Sequence, residues 1–170
     1  VVYQVLKRDG VCYSKEEYVR KKYKESAKVF INAYGWFVKE AQHIVPKPEG
    51  AEYPYWAFTD LYNVDQTGDG HVLTLDVPIG EAILFDMFDW TKIMQMHYIG
   101  ENESEEATFS EELKNMGMNE FQIMTSNFYP EQKARIQESW KRLFGHQQAI
   151  EAGDNSGVHS VQAGLWCIKD

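Results

Sequence analysis

A chain of 170 residues, 44% hydrophobic and 14% aromatic, is long enough for one domain that buries roughly two-thirds of its unfolded surface. It stands far from the disordered class. A formal net charge of -9 argues against general nucleic-acid binding, which needs a basic footprint to displace counterions, and favours solubility or a cationic partner.

In chain order, Val2, Val5 and Leu6 have the spacing of a short helix over residues 1–8, stopped by Gly10, a C-cap type residue. Val11 to Tyr13 reads as a brief strand. Ser14-Lys15-Glu16-Glu17 has the form of a capping box. The pattern it opens places Tyr23, Ala27, Phe30, Ile31, Tyr34, Phe37, Val38 and Ala41 on one apolar face. Steps of three and four predict two helical pieces, or one bent helix, ending near His43. Pro46 to Gly50 is a loop.

Tyr53 to Tyr62 predicts an aromatic strand, Asp65 to Gly70 a turn, and His71 to Val77 the returning strand of a hairpin. Ala82 to Phe85 is a third, buried strand. Asp86 and Asp89 open a helix that runs to Tyr98. Residues 101–120 then carry seven glutamates against the single Lys114, whereas residues 7–28 carry eight Lys and Arg against four acidic residues. Glu131 to Phe144 predicts an amphipathic helix with Ile136, Trp140, Leu143 and Phe144 inward and Gly145 as its stop. Gly153 to Gly157 is a loop, and Val158 to Lys169 a final strand. These elements predict a single α+β domain over 1–170, with a small, mainly antiparallel sheet and helices packed around it.

Cys12 and Cys167 stand far apart in apolar surroundings, which predicts buried free thiols of a reducing, cytoplasmic compartment. No apolar run approaches the ~20 residues of a membrane span, and no leader is expected. Asp65, Thr67, Asp69, Gly70 and Asp76 match the spacing of a calcium loop. Strand-like flanks, where helices are required, make a polar turn the stronger reading. None of the five histidines has a metal-ligand spacing; His159, on the last strand before Gln162, is the one to watch. Nucleophile elbows and phosphate-cradling glycine loops are absent from the sequence, so no cofactor is expected. Asp86 and Asp89 could do acid–base work, with helix capping the commoner role for carboxylates at a helix start. The five tryptophans, one in each major element, predict core packing.

Six motifs together resemble an uncharacterised bacterial domain family of unknown function, also seen on mobile elements. They are Ala33-Tyr34-Gly35-Trp36, Pro48-Glu49-Gly50-x-x-Tyr53-Pro54-x-Trp56-Ala57, Leu75-Asp76-Val77-Pro78, Ile83-Leu84-x-Asp86 with Trp90, Ser139-Trp140-x-x-Leu143-Phe144 and Gln162-Ala163-x-Leu165-Trp166. The resemblance covers most of the chain from about residue 33 and implies a further N-terminal strand ahead of Val1. A fainter likeness, at the level of fold, is to ADP-ribosyltransferase-like domains, in some of which a catalytic glutamate follows a Gln-Ala pair. Here that place is Gly164.

Two functions are therefore expected from sequence. The first is a non-enzymatic, phage or mobile-element binding protein that occludes a basic nucleic-acid-binding site on a protein partner, such as a host or defence nuclease. Its working surface would be Glu101, Glu103, Glu105, Glu106, Glu111 and Glu112, with no direct nucleic-acid contact and no membrane. The alternative is an ADP-ribosyltransferase-like enzyme or a degenerate NAD- or nucleotide-binding domain, with a cleft of Tyr34, Trp56, Asp86 and Gln162.

Overall fold

The computed structural model describes residues 2–67 and 70–170. The chain enters through helix α1 (Val2–Asp9) and strand β1 (Val11–Cys12), then α2 (Glu16–Tyr23) and α3 (Ala27–Ala41), separated by one 3-10 turn at Lys24–Ser26. Strands β2 (Tyr55–Phe58) and β3 (Ala82–Asp86) follow, then α4 (Met87–Met94), α5 (Glu103–Asn115), α6 (Glu120–Thr125) and α7 (Pro130–Ser139). A long 3-10 stretch, Trp140–His146, leads into α8 (Gln147–Glu151), and β4 (Val161–Leu165) and β5 (Ile168–Lys169) close the fold.

The main sheet is antiparallel, in the order β2-β4-β3. The expected hairpin does not form. Trp56 pairs with Gly164 and Phe58 with Gln162 on β4, while residues 71–78 form no strand. A central strand is covered on both faces, and β4 is buried along its whole length. In the 71–77 segment only Leu75 is half-buried, and Pro78 after it lacks an amide donor. The last strand is likewise split: β5 leaves the main sheet to pair with β1, Cys12 opposite Ile168.

The two faces of the sheet bury different cores. Ile83 and Phe85 point into the large aromatic cluster, where Phe37 of α3 meets Trp56, Phe85 and Trp90 edge-on at 5.0, 5.6 and 5.3 Å. Gly164 is part of this contact, because a Cβ there would lie 3.0 Å from Phe37 Cζ. Ala82, Leu84, Val161, Ala163 and Leu165 face the other way, against Ile150 of α8 and Leu75. Four tryptophans are buried and Trp56 is half-buried, as their spread predicts.

Side-chain bonds reset three local expectations. The Ser14–Glu17 capping box is replaced: Lys15 is the N-cap and has no side-chain cap bond. Ser14 instead bridges to Tyr53, and Glu52 accepts the Glu16 amide at 2.8 Å. Helix α4 stops at Met94, with Met96 at φ +63 just beyond, rather than continuing to Tyr98. Helix α7 gives way at Trp140 rather than Gly145. There the Ser139 hydroxyl donates to Ile136 O and accepts from Ile99 N, and the Trp140 indole donates to His97 O at 2.7 Å.

Helix α8 covers the outer edge of β3. Gln147 accepts the Leu84 amide at 2.6 Å and donates to Ala82 O at 3.1 Å, so the buried edge keeps its backbone partners. Cys12 is buried, Cys167 half-buried, and both are free. No helix among the described residues is long and apolar enough to cross a membrane.

Candidate functional site

The end of the sheet where β3 stops and β4 begins collects most of the chemistry. Asp86 is the last residue of β3 and the N-cap of α4, with extended backbone, and its carboxylate accepts the Phe88 amide at 3.0 Å. It is only 3% exposed. The same carboxylate accepts the His159 amide at 3.0 Å, the His159 Nδ1 at 2.9 Å and the Ser160 amide at 3.4 Å. Burial alone would push this carboxyl up; the His159, Phe88 and Ser160 bonds outweigh it, and the net shift is downward. Asp86 therefore stays ionised.

An ionised carboxylate can only accept, so His159 carries its hydrogen on Nδ1 and turns Nε2 outward. The side chain of His159 is 72% exposed, and its ring lies tilted by 30° against the exposed Phe88 at 4.8 Å. One turn into α4, Asp89 is pulled the other way. Its carboxyl is pushed up by burial and then by the Asp86 charge, against Lys92 at 4.0 Å and His146. His146, at the end of the 3-10 stretch, lies beside Gly157, 3.3 Å from where a Cβ there would sit. The site thus holds two carboxyl groups three residues apart with opposite proton affinities, an arrangement suited to proton transfer. Among the described residues no three His, Cys, Asp or Glu side chains converge as a metal cluster would.

Of the four cleft residues expected from sequence, three are gathered elsewhere. Tyr34 meets Trp56 edge-on at 5.3 Å, and burial pushes the Tyr34 hydroxyl up to about 12. Gln162, opposite Phe58 and Phe85, shares their face of the sheet. Asp86 pairs with Val161 and belongs to the opposite face, so the four do not line one cleft. Gln162 is 4% exposed, and its Oε1 has no partner among the described residues. Gly164, packed beneath Phe37, leaves no room for a carboxylate at that place.

The glutamates of the 101–112 strip are largely engaged within the chain. Glu112 forks onto Arg135 at 2.5 and 3.1 Å. Glu106 takes Lys92 at 2.7 Å and the Gly100 amide. Glu105 takes the Tyr98 hydroxyl and shares Arg142 with Glu101 at 3.5 Å. A hollow of about 320 Å³ lined by Tyr98, Phe109, Glu105, Glu112 and Arg135 lies between these pairs. Only Glu103 and Glu111 have no cation partner among the described residues. In the calcium-like stretch, Asp65 accepts from the Thr67 amide and hydroxyl as a polar turn does. Asp76 is exposed, and Asp69 lies outside the described residues. Gln147 carries no sequence signal, because only tertiary packing brings it to its partners on β3.

A family model described as a domain of unknown function (DUF3841) matches residues 1–170. No curated protein and no solved structure matches the chain.

Proposed function

The chain belongs to the DUF3841 family of domains of unknown function, and from its geometry we propose that it is an acid–base catalyst acting on a small polar ligand of the nucleotide class. The observation that carries this reading is the buried, ionised Asp86 holding the ring of the exposed His159 at 2.9 Å. A carboxylate behind a histidine fixes its tautomer, and Nε2 can then take a proton from a bound ligand and return it. Asp89, whose carboxyl burial and the Asp86 charge push up, is a second carboxyl group on the same side of α4. Exposed Phe88 beside the His159 ring supplies flat apolar surface for a planar ligand. Transfer of ADP-ribose is not part of this reading, since Gly164 cannot contribute the carboxylate such chemistry uses.

The test is a thermal-shift series with NAD, ADP-ribose, ATP and AMP, followed by turnover of whichever binds. A true ligand raises the melting midpoint by mass action. His159→Gln should leave that shift in place and slow turnover about 10²- to 10⁴-fold. No shift with any of the four at millimolar concentration, or turnover unchanged in His159→Gln, rejects the proposal.

A further inference from the structure

Apart from α5, where Glu103 and Glu111 lack a cation partner among the described residues, a second acidic stretch is left largely unpaired. From Thr59 to Glu81 the sequence carries five acidic residues and no Lys or Arg. Its described residues form no strand and only two 3-10 turns, Leu61–Asn63 and Ile79–Glu81. Asp60, Asp65 and Asp76 make no ion pair among the described residues, in contrast to Glu105, Glu106 and Glu112. The same segment turns Leu61, Tyr62, Val72, Leu73, Val77 and Ile79 to solvent, Tyr62 at 91% exposure and Leu61 at 58%.

Single exposed apolar residues are ordinary, but a run of six in one segment marks a contact surface. This segment is also held in place. Leu75 packs against the clusters on both sides of it, Thr59 donates to Val161 O at 3.2 Å, and Asn63 holds Ser160. A long irregular connection anchored in this way within a compact domain is usually a working loop.

We propose that residues 60–67 and 70–79 are a docking surface for a partner protein whose own surface has an apolar centre rimmed by Lys and Arg. Charge complementarity selects that occupant: the apolar side chains supply contact area, and the unpaired aspartates steer and orient a cationic rim. A second copy of this chain is the wrong partner, because a two-fold contact would set one acidic segment against the other. The inference uses none of the His159 chemistry, so either can fail alone.

The experiment uses defined probes: a fluorescent amphipathic peptide of leucine and lysine, and a control in which glutamate replaces each lysine. The full chain should bind the lysine peptide and release it as salt rises. The double variant Tyr62→Ser, Val77→Ser should weaken binding about tenfold, and Asp76→Lys about threefold. Glu103→Lys with Glu111→Lys should leave it unchanged. All these side chains are exposed, and unchanged thermal melts confirm that the fold is intact. The proposal is overturned if the glutamate peptide binds as well as the lysine peptide, or if the Tyr62→Ser, Val77→Ser and Asp76→Lys variants bind normally. It is also overturned if sedimentation shows the wild-type chain pairing with itself through this surface and Tyr62→Ser, Val77→Ser abolishing the pair.

Discussion

Two glutamines buried to the same degree should respond to the same substitution with opposite signs. Gln162 is 4% exposed and Gln147 6%. Gln162 holds a carbonyl oxygen away from water with no donor to meet it among the described residues. Methionine has nearly the same length and no such oxygen, so Gln162→Met removes a buried unsatisfied acceptor, a gain of about 1–3 kcal/mol. Gln147 is the reverse case, because among the described residues its amide is the partner of Leu84 N and Ala82 O on the outer edge of β3. Gln147→Met strands a donor and an acceptor, each worth about 1–3 kcal/mol, and should destabilise by roughly 2–6 kcal/mol. At about 2–4 °C per kcal/mol for a chain of this size, Gln162→Met should melt several degrees higher and Gln147→Met well below the wild type. Thermal unfolding followed by circular dichroism, with urea melts alongside, measures both. A lower midpoint for Gln162→Met would show that the amide has a partner in the native protein, and the accounting would be wrong at its first step.

Three further substitutions test the site and its supports. Asp86→Asn keeps a good N-cap but loses the charge in its bonds to His159 and Ser160, a cost of about 1–3 kcal/mol at neutral pH. Because the Asp86 carboxyl is depressed on folding, its contribution is present above the ordinary aspartate range and lost as pH falls through the folded value. Urea melts of variant and wild type should therefore converge in acid. His97 behaves oppositely. Its bond to Glu120 raises its pKa, so the stabilisation is complete below the ordinary histidine value and fades as pH rises through the folded one. His97 is half exposed, and His97→Gln should flatten a pH slope in midpoint worth less than about 1 kcal/mol. Gly164→Ala places a methyl 3.0 Å from Phe37 Cζ and should cost about 1–3 kcal/mol by overpacking, seen as a lower midpoint with ligand-independent loss.

Much of the α+β architecture was legible because periodicity reports local burial. The α3 face, the β3 run and the inward side of α7 all appear where their apolar spacing places them. The pairing of strands was not legible in the same way. His71 to Val77 alternates as well as a strand should, yet β2 pairs with residues 161–165, which are buried along their whole length, while only Leu75 of the 71–77 segment is half-buried. Ser14 illustrates the same limit at short range: it has the sequence of a cap and the tertiary job of pairing with Tyr53. At the site, Asp86 and His159 could each be singled out from sequence. Their 2.9 Å contact bridges 73 positions, and no local spacing foretells that. In the acidic 101–112 stretch, what spacing does not foretell is that Arg135, Arg142 and Lys92 arrive from other elements to pair with four of its six glutamates.

Closing β3 with Gln147 has a consequence for how this protein can assemble. A sheet with two bare flanks can recruit a strand on each side and propagate into a filament. Here one flank is already occupied by the amide of α8, and β2 is the other. Growth through backbone pairing would stop after a single step, leaving a closed pair instead of a polymer.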